Sequence, residues 1–277
     1  MSASKADPDW LALREPMDHR SRAAALLAPL DAWWRESRKK KVLDLGCGTG
    51  SNLRYLAPRL TGVQHWTLVD QDAALLERAP TKSSGIAGVA SVDLVRGDLA
   101  REGLDAIRHA DLVTASALLD LVSMRWLDLV VEACRAAHCA ALFTLTWDGD
   151  FEWHLPEARG WDPGDALVLD LMRAHQRRDK GLGPALGPTA GVAAKRALQA
   201  AGLRTWIEPS PWRLGPEDSD LAVALIDGWA GAALEQRPEE AQRIGEWAVR
   251  RRRDARARTF SLTVGHVDVL ALPGEPT

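Results

Sequence analysis

Apolar residues along the chain follow two alternating patterns. Short apolar runs centred near residues 43, 68, 94, 113 and 142 are typical of buried strands. Helical patterns near 51–60, 72–79, 101–108 and 123–138 separate these runs. Strands that alternate with helices form parallel βαβ units with right-handed crossovers. The sequence therefore predicts an α/β fold with a doubly wound, mostly parallel sheet.

The first 39 residues are predicted to form an N-terminal helical segment. Its apolar residues recur at helical spacing and indicate a helix with one apolar face: Leu26, Leu27, Leu30, Trp33 and Trp34. Pro29 lies inside this pattern, so we expect the helix to bend there.

The regular alternation stops after the fifth strand. Residues 147–188 form an insertion rich in Pro, Gly and Trp, with a helix predicted near 165–178. A helix at about 189–201 then leads to a sixth strand, Arg204–Glu208, and a second insertion, 210–257, is helical from about residue 216. The last strand, Thr259–Leu272, has period-two apolar residues, and Gly265 in its middle predicts a bulge.

These elements favour one domain over residues 1–277, with a core at 40–146 and a seven-stranded sheet. Ligands of such sheets bind at the carboxyl ends of the strands. The two insertions follow strands that end there, so we expect them to form a cap over a substrate.

Composition narrows the class of protein. With 277 residues and 46% hydrophobic residues the chain matches soluble globular proteins. Three cysteines are too few for a disulfide framework or a zinc site, no secretory signal is recognisable, and no apolar run approaches the roughly 20 residues that cross a bilayer. We therefore expect a cytoplasmic protein that is not inserted in a membrane.

Charge argues weakly against a nucleic-acid partner. The formal net charge of −3 gives no overall attraction to a phosphate backbone, so nucleic-acid binding would need a local basic face. Arg250–Arg253, with Arg256 and Arg258, is the marked basic cluster, and it ends a predicted helix. Cations at that position suit the helix dipole, and we expect a solvated surface there.

The segment Val42–Asn52 holds the most informative motif, since a buried strand leads directly into Gly46, Gly48 and Gly50. Glycine permits a sharp turn and the close approach of a ligand, and the helix that follows offers unpaired N–H groups. The dinucleotide pattern G-x-G-x-x-G would place its third glycine where Ser51 stands. Asp70 ends the second strand roughly 20 residues later, the spacing that places an acid on a ribose diol.

The run Asp44-Leu45-Gly46-Cys47-Gly48-Thr49-Gly50 resembles motif I of the class I S-adenosylmethionine (SAM)-dependent methyltransferases, an acid followed by G-x-G-x-G. The resemblance implies that Asp44 holds the amino group of the methionine part of SAM and that the glycines let the loop wrap the cofactor. It places Asp98 beside the adenine amine and Arg20, from an N-terminal helix, at the cofactor carboxylate. It also implies cofactor contacts from Cys47, Asn52, Gln71, Leu99 and Ser116.

The acceptor side of the site is less well marked. The loop after the fourth strand carries Asp120 where many small-molecule members of this family have a histidine. Asp120 is a candidate to accept a substrate proton if burial raises its pKa. An ordinary loop acid close to the helix cap Ser123 is the slightly favoured alternative.

The first insertion supplies further candidates. His175 is a possible general base, and Trp147, His154 and His175 are candidate substrate contacts, because a loop there overhangs the methyl group. Histidines on helices are more often packed or solvated. The twelve tryptophans are unusual, and five of them follow strands that end near the cofactor and could line an acceptor site: Trp126, Trp147, Trp153, Trp161 and Trp212.

We therefore expect a methyltransferase that uses SAM to methylate an O, N or C nucleophile of a small molecule. The reaction would be a direct in-line displacement without a metal, in which the protein contributes orientation and exclusion of water. RNA or protein methylation, and a catalytically silent SAM-binding regulatory protein, are the alternatives. The sequence does not indicate the oligomeric state.

Overall fold

A twisted sheet occupies the centre of the computed structural model, which describes residues 7–37, 40–83, 85–155 and 162–274. Its strands are β1 (Lys41–Leu45), β2 (Gln64–Asp70), β3 (Val89–Arg96), β4 (Leu112–Ser116), β5 (Ala140–His154), β6 (Arg204–Pro209), β7 (Trp212–Leu214) and β8 (Ser261–Leu272). The strand order is β3-β2-β1-β4-β5-β8-β6. The first five strands are parallel, and β8 lies antiparallel between β5 and β6. The predicted doubly wound, mostly parallel sheet is confirmed.

The helices cover both faces of this sheet and one end of it. They are α1 (Pro8–Ser21), α2 (Leu27–Glu36), α3 (Ser51–Leu56), α4 (Ala73–Leu76), α5 (Arg78–Ser83), α6 (Leu104–Ile107), α7 (Met124–Ala137), α8 (Pro163–Gln176), α9 (Ala190–Ala200), α10 (Ser219–Gln236) and α11 (Ala241–Arg256). β1 and β4 are almost wholly buried, as expected for parallel strands covered on both faces. Trp34 of α2 and Trp66 of β2 are fully buried on one face, and α7 and α9 pack on the other.

A third apolar cluster lies beyond the end of the sheet. Here α8, α10 and α11 pack around the extensions of β5 and β8, with Phe151 stacked on Trp229 at 4.4 Å between ring centroids. This cluster corresponds to the two insertions, so they are built around a core of their own rather than around loose loops. None of the helices in the described ranges is long and apolar enough to span a membrane.

The strand β5 differs from its predicted boundary. It continues to His154, so the first eight residues of the predicted insertion 147–188 belong to the sheet. Its pairing with β8 shifts register twice, between Phe143 and Thr146 and between Trp147 and Phe151. The extra residues therefore lie on β5, not at Gly265, where we expected the bulge. Gly265 lies opposite the second shift, and a Cβ there would collide with the Asp148 carboxylate.

Two smaller predictions also need correction. Pro29 does not bend a helix, because α2 begins at Leu27 and Pro29 falls in its first turn, where no intrahelical N–H bond is lost. The short strand β7, which pairs with β8, was not predicted, since three residues carry too little periodicity to be recognised.

The basic run on α11 is not the solvated surface that we expected. Arg251 is 2% exposed and bonds Asp165 on α8. Its neighbours pair in the same way, Arg250 with Asp162 and Arg252 with Asp227 of α10. These ion pairs join α11 to the two other cap helices, so the charge of the run is largely compensated within the chain.

The carboxylate of Asp268 on β8 holds β5 at its first register shift, between Phe143 and Thr146. It is 2% exposed, and its Oδ1 accepts hydrogen bonds from the Leu145 N–H (2.7 Å) and the Ser210 hydroxyl (2.6 Å). Its Oδ2 accepts from the Ala23 N–H at 3.0 Å. Leu145 has a left-handed backbone (φ 52°). A residue other than glycine adopts this conformation only when its surroundings impose it.

Replacing Asp268 with Ala should lower the free energy of unfolding by about 3 to 5 kcal/mol, because three donors, two of them fully buried, lose a charged acceptor. Urea denaturation followed by circular dichroism measures this change. Ser210→Ala removes only one of the three hydrogen bonds and should cost about 1 kcal/mol. A loss below about 1 kcal/mol for the Asp268 variant would show that water can replace the carboxylate.

Candidate functional site

The glycine loop lies between the carboxyl ends of β1 and β2 and the start of α3. Gly46, Gly48 and Gly50 all have left-handed backbones (φ 65°, 53° and 81°), which side chains disfavour. The N–H groups of Gly46 and Cys47 donate to the Val69 carbonyl, so the loop is fixed to β2. A Cβ on Gly48 would lie 3.3 Å from a methyl group of Leu11 on α1. The loop is thus fixed to β2 and covered at Gly48 by α1.

The buried carboxylate of Asp44 has a hydrogen-bond partner on one of its two oxygens. Asn52 of α3 donates its amide N–H groups to Asp44 Oδ1 and to the Thr114 hydroxyl, both at 2.9 Å. Within the described residues, Asp44 Oδ2 and Asn52 Oδ1 are buried without a hydrogen-bond partner. Burial raises the pKa of Asp44 to about 7, against the opposing effects of the Asn52 hydrogen bond and of Arg22. Such a group gains most from a cationic partner.

Arg22, just after α1, is the buried cation of this region. Its Nη2 donates to the Ser116 hydroxyl at 3.1 Å, and its guanidinium lies 5.1 Å from the Tyr55 ring centroid. Nε and Nη1 are buried and have no partner in the described part of the chain. Burial lowers the pKa of Arg22, while Asp268 and Asp18 act in the opposite direction. The free N–H groups make Arg22 suited to an anionic group.

The structure places Arg20, the arginine expected at the cofactor carboxylate, on another side of α1. Its guanidinium pairs with Asp218, which directly precedes α10, and its side chain is 45% exposed. Arg22 lies beyond the end of the helix and donates to Ser116, so the two arginines have different partners. Sequence reasoning missed Arg22 because nothing in the pattern shows which of the two faces inward.

The acids that follow β2 and β3 lie at the same edge of the sheet as the glycine loop. Asp70 Oδ2 accepts from the Gly48 N–H (2.8 Å) and Oδ1 from the Asp72 N–H (2.9 Å), so this carboxylate also fixes the loop. Asp98 Oδ1 accepts from the Ala100 N–H at 2.7 Å and caps the helical turn that follows. Gln71 is exposed beside Asp70, and Leu99 packs near Gly46.

Asp120 lies on the other side of the loop, in the turn after β4. The side chain of Leu118, two residues earlier, is 3.5 Å from the position of a Cβ on Gly46. Burial raises the pKa of Asp120 to about 6, although its own and the Trp147 backbone N–H and the nearby Arg14 lower it. Gln176 at the end of α8 donates to Asp120 Oδ2 at 3.2 Å. Asp120 is therefore an oriented carboxyl group that can exchange a proton near neutral pH.

The two predicted histidines differ in position. His175 lies next to Gln176, where it contacts Glu235 (3.3 Å) and the Lys180 ammonium (3.2 Å) at the rim of the Asp120 region. Burial, and then Lys180, lower its pKa. His154 is 51% exposed at the far end of β5, where it pairs with Glu152. The structure brings His175 near Asp120 but not His154.

The predicted aromatic residues also separate. Trp147 is buried beside Asp120, whereas Trp126 donates its indole N–H to the Leu99 carbonyl and packs in the main core. Trp153 packs on Phe260 in the cap. Trp212 lies against α1 and β8, and Trp161 lies outside the described residues.

His266 on β8 is a buried residue that sequence reasoning missed. It pairs in register with Trp147, its Nδ1 lies 3.1 Å from the Val264 carbonyl, and its ring centroid is 5.1 Å from that of Trp212. Burial and Arg14 lower its pKa to about 3, so the ring is neutral. The signal was available, because His266 and Asp268 occupy the inward, otherwise apolar positions of a period-two strand.

Residues 42–138 match the family model described as a methyltransferase domain. No curated protein matches the sequence.

Similar solved structures include the cyclopropane synthase MmaA2 from Mycobacterium tuberculosis, which is 11% identical, with 96% of this chain and 94% of that chain covered and a TM-score of 0.48. A SAM-dependent methyltransferase from Geobacter sulfurreducens in complex with S-adenosyl-L-homocysteine is 16% identical over 97% of this chain and 99% of that one, with a TM-score of 0.46. Geranyl diphosphate C-methyltransferase from Streptomyces coelicolor A3(2) is 12% identical over 91% and 77%, with a TM-score of 0.47.

The electrostatic effect of Arg22 on Asp44 gives a direct test. Arg22→Met should raise the pKa of Asp44 above its value of about 7, because the carboxylate loses the cation that stabilises its charged form. A carbon-13 NMR titration of the Asp side-chain carboxyl groups measures this pKa. Arg20→Met is the matched control and should leave it unchanged. Equal shifts in both variants would place Arg22 outside the environment of Asp44.

Proposed function

We propose, for a chain that belongs to the class I SAM-dependent methyltransferases, that the methyl acceptor is a small molecule bound beside Asp120. The observation that carries this proposal is the buried, oriented carboxyl of Asp120, with a pKa raised to about 6, two residues beyond the Leu118 side chain that lies against the glycine loop. When bound, SAM supplies an electrophilic methyl group on a sulfonium.

The residues of the glycine loop fit SAM. The unpartnered Asp44 Oδ2 suits the amino group of its methionine part, and the unpartnered Nε and Nη1 of Arg22 suit the carboxylate. Asp70 would hold the ribose and Asp98 the adenine amine, with Cys47, Asn52, Gln71, Leu99 and Ser116 as further contacts. Arg22 thereby takes the place that the family resemblance suggested for Arg20, whose guanidinium is already paired with Asp218.

Asp120 would accept a proton from the O–H or N–H group of the acceptor. Its raised pKa makes it a stronger base than an ordinary carboxylate, yet leaves it mostly ionised at neutral pH. Gln176 and the Trp147 backbone hold it in place, and His175 with Lys180 would form the rim of the site. Helix α1 and the cap helices would exclude water from the reacting groups.

Enclosure and charge favour a small acceptor over RNA or protein. Asp120 is buried under α8 and α1, a depth that a macromolecular side chain or base would reach only after displacement of these helices. The basic run on α11 is engaged in ion pairs with acids of the cap, which weakens its attraction for phosphates.

Affinity for S-adenosylhomocysteine should rise as the pH increases from 5.5 to 7.5. Below a pKa of about 7 Asp44 is protonated, and a protonated carboxyl group attracts the ammonium group of the ligand less strongly. The gain should be on the order of tenfold over this interval. Isothermal titration calorimetry at each pH measures it, and Asp44→Asn should remove the dependence. A pH-independent affinity in the wild-type protein would argue against Asp44 as the partner of the amino group.

Asp120→Asn should lower turnover about 10²- to 10⁴-fold, the usual contribution of a positioned acid or base. The affinity for S-adenosylhomocysteine should stay within about threefold of the wild-type value. The assay measures S-adenosylhomocysteine formed with a panel of hydroxyl- and amine-bearing small molecules, and mass spectrometry identifies the methylated product. Asp128→Asn, an exposed acid on α7, is the matched control.

The same assay separates the alternatives. Transfer of labelled methyl groups into bulk RNA or protein, with no small molecule methylated, would show that the protein methylates RNA or protein instead. Cofactor binding without transfer to any of these acceptors would favour the silent regulatory protein.

A further inference from the structure

Trp212 has a buried hydrogen-bond donor that the proposed reaction does not use. Its side chain is 2% exposed, and within the described ranges its indole N–H has no acceptor. Leaving such a group unpaired costs about 1 to 3 kcal/mol, and native structures contain few of them. Trp212 packs between Trp10 and Arg14 of α1 on one side and His266 of β8 on the other.

His266 offers the complementary acceptor. The contact of Nδ1 with the Val264 carbonyl requires the proton to lie on Nδ1, so Nε2 carries a lone pair. Arg14 and burial keep the ring neutral. In the described part of the chain Nδ1 is the ring nitrogen with a hydrogen-bond partner, and Nε2 has none. A free donor and a free acceptor thus lie on rings whose centroids are 5.1 Å apart.

This pair belongs to the acceptor side of the site. His266 pairs in register with Trp147, whose backbone N–H bonds the Asp120 carboxylate. The guanidinium of Arg14 lies 4.9 Å from the Trp212 ring centroid, and its charge lowers the pKa of both Asp120 and His266. Trp212 and His266 therefore adjoin the carboxyl group that would receive the acceptor's proton.

We propose that Trp212 and His266 together bind an uncharged hydroxyl group of the methyl acceptor, with the indole N–H donating to its oxygen and the imidazole Nε2 accepting its hydrogen. The inference rests on the proposed function, because it assumes that the acceptor lies beside Asp120. The acceptors are then neutral, hydroxyl-bearing small molecules with an apolar body that packs against the tryptophans.

The chemistry of the pair distinguishes a hydroxyl from charged groups. A carboxylate has no hydrogen to give and would leave Nε2 unpaired, and an ammonium has no acceptor and would leave the indole N–H unpaired. A hydroxyl oxygen satisfies both, and it can do so when the two nitrogen atoms lie within about 6 Å of each other, twice a hydrogen-bond length. The guanidinium of Arg14, which faces the Trp212 ring, donates two hydrogen bonds to Asp18, which weakens its attraction for an anion.

The test uses four probes that share a benzene ring: phenol, anisole, benzoate and benzylammonium. Each is titrated into the full chain saturated with S-adenosylhomocysteine, and binding is followed by ligand-observed NMR. Phenol should bind about threefold to tenfold more tightly than anisole and than either ion, the factor expected for one to two neutral hydrogen bonds.

Two substitutions remove one partner each while keeping a ring. Trp212→Phe and His266→Phe should each reduce phenol affinity to that of anisole and leave anisole unchanged. His266→Gln, whose amide oxygen reaches toward the position of Nε2, should restore part of the preference. Trp33→Phe, a half-buried tryptophan on α2, is the matched control and should change nothing.

A spectroscopic measurement on the wild-type protein tests the inference even if the variants fail to fold. In wild-type protein labelled with nitrogen-15, phenol should shift the His266 Nε2 resonance in the direction of hydrogen-bond acceptance, and anisole should not. Equal affinity for phenol and anisole, no binding of phenol, or a phenol preference that survives both Phe variants would overturn the inference. Failure to bind S-adenosylhomocysteine would instead overturn the proposed function.

Discussion

The buried carboxylate of Asp268 is the interaction on which both halves of the site depend. It holds Ala23, Leu145 and Ser210, three segments that are far apart in sequence. The left-handed backbone of Leu145 costs on the order of 1 to 3 kcal/mol, and the charged acceptor at its N–H offsets that cost. Because β5 shifts register here, the Trp147 N–H faces Asp120, and because Ala23 is fixed, Arg22 lies beside Ser116.

Helix α1 forms a common wall for these two halves. Leu11 covers Gly48, Glu15 bonds the Arg54 guanidinium of α3 at 2.6 Å, and Arg14 packs on the Trp212 ring. The helix thereby removes both the glycine loop and the Asp120 region from water. Desolvation is the largest cause of the raised pKa of Asp44 and of Asp120 alike, so burial sets the acidity of both carboxyl groups.

The sequence predicted what depends on local pattern. The alternation of strands and helices was sufficient for the sheet, since each βαβ unit is specified by its own apolar periodicity and by a fixed handedness. The position of Asp44 and of the glycine loop followed from a motif in which every residue is a close neighbour. Asp120 could also be placed near the loop, although its burial and its contact with Gln176 could not.

What the sequence could not show depends on contacts between distant segments. The extent of β5 is set by β8, more than 100 residues later, so the strand was ended too early at residue 146. The choice between Arg20 and Arg22 is decided by Asp218 and Ser116. His266 and Asp268 could have been noticed as polar residues at inward positions of an apolar strand, but their partners lie on β5, β7 and α1, which no local pattern identifies.

The charges around the glycine loop favour a ligand that presents a zwitterionic group. Arg22 and Asp44 are buried close enough to alter each other's pKa, yet no direct ion pair joins them among the described contacts. A lone anion would satisfy the free N–H groups of Arg22 and leave Asp44 Oδ2 uncompensated, and a lone cation would do the reverse. A zwitterion presents both charges a short distance apart, so it alone satisfies both residues without adding net charge to a buried site. The amino-acid end of SAM has this form, which supports the proposal that these two side chains hold the cofactor rather than the acceptor.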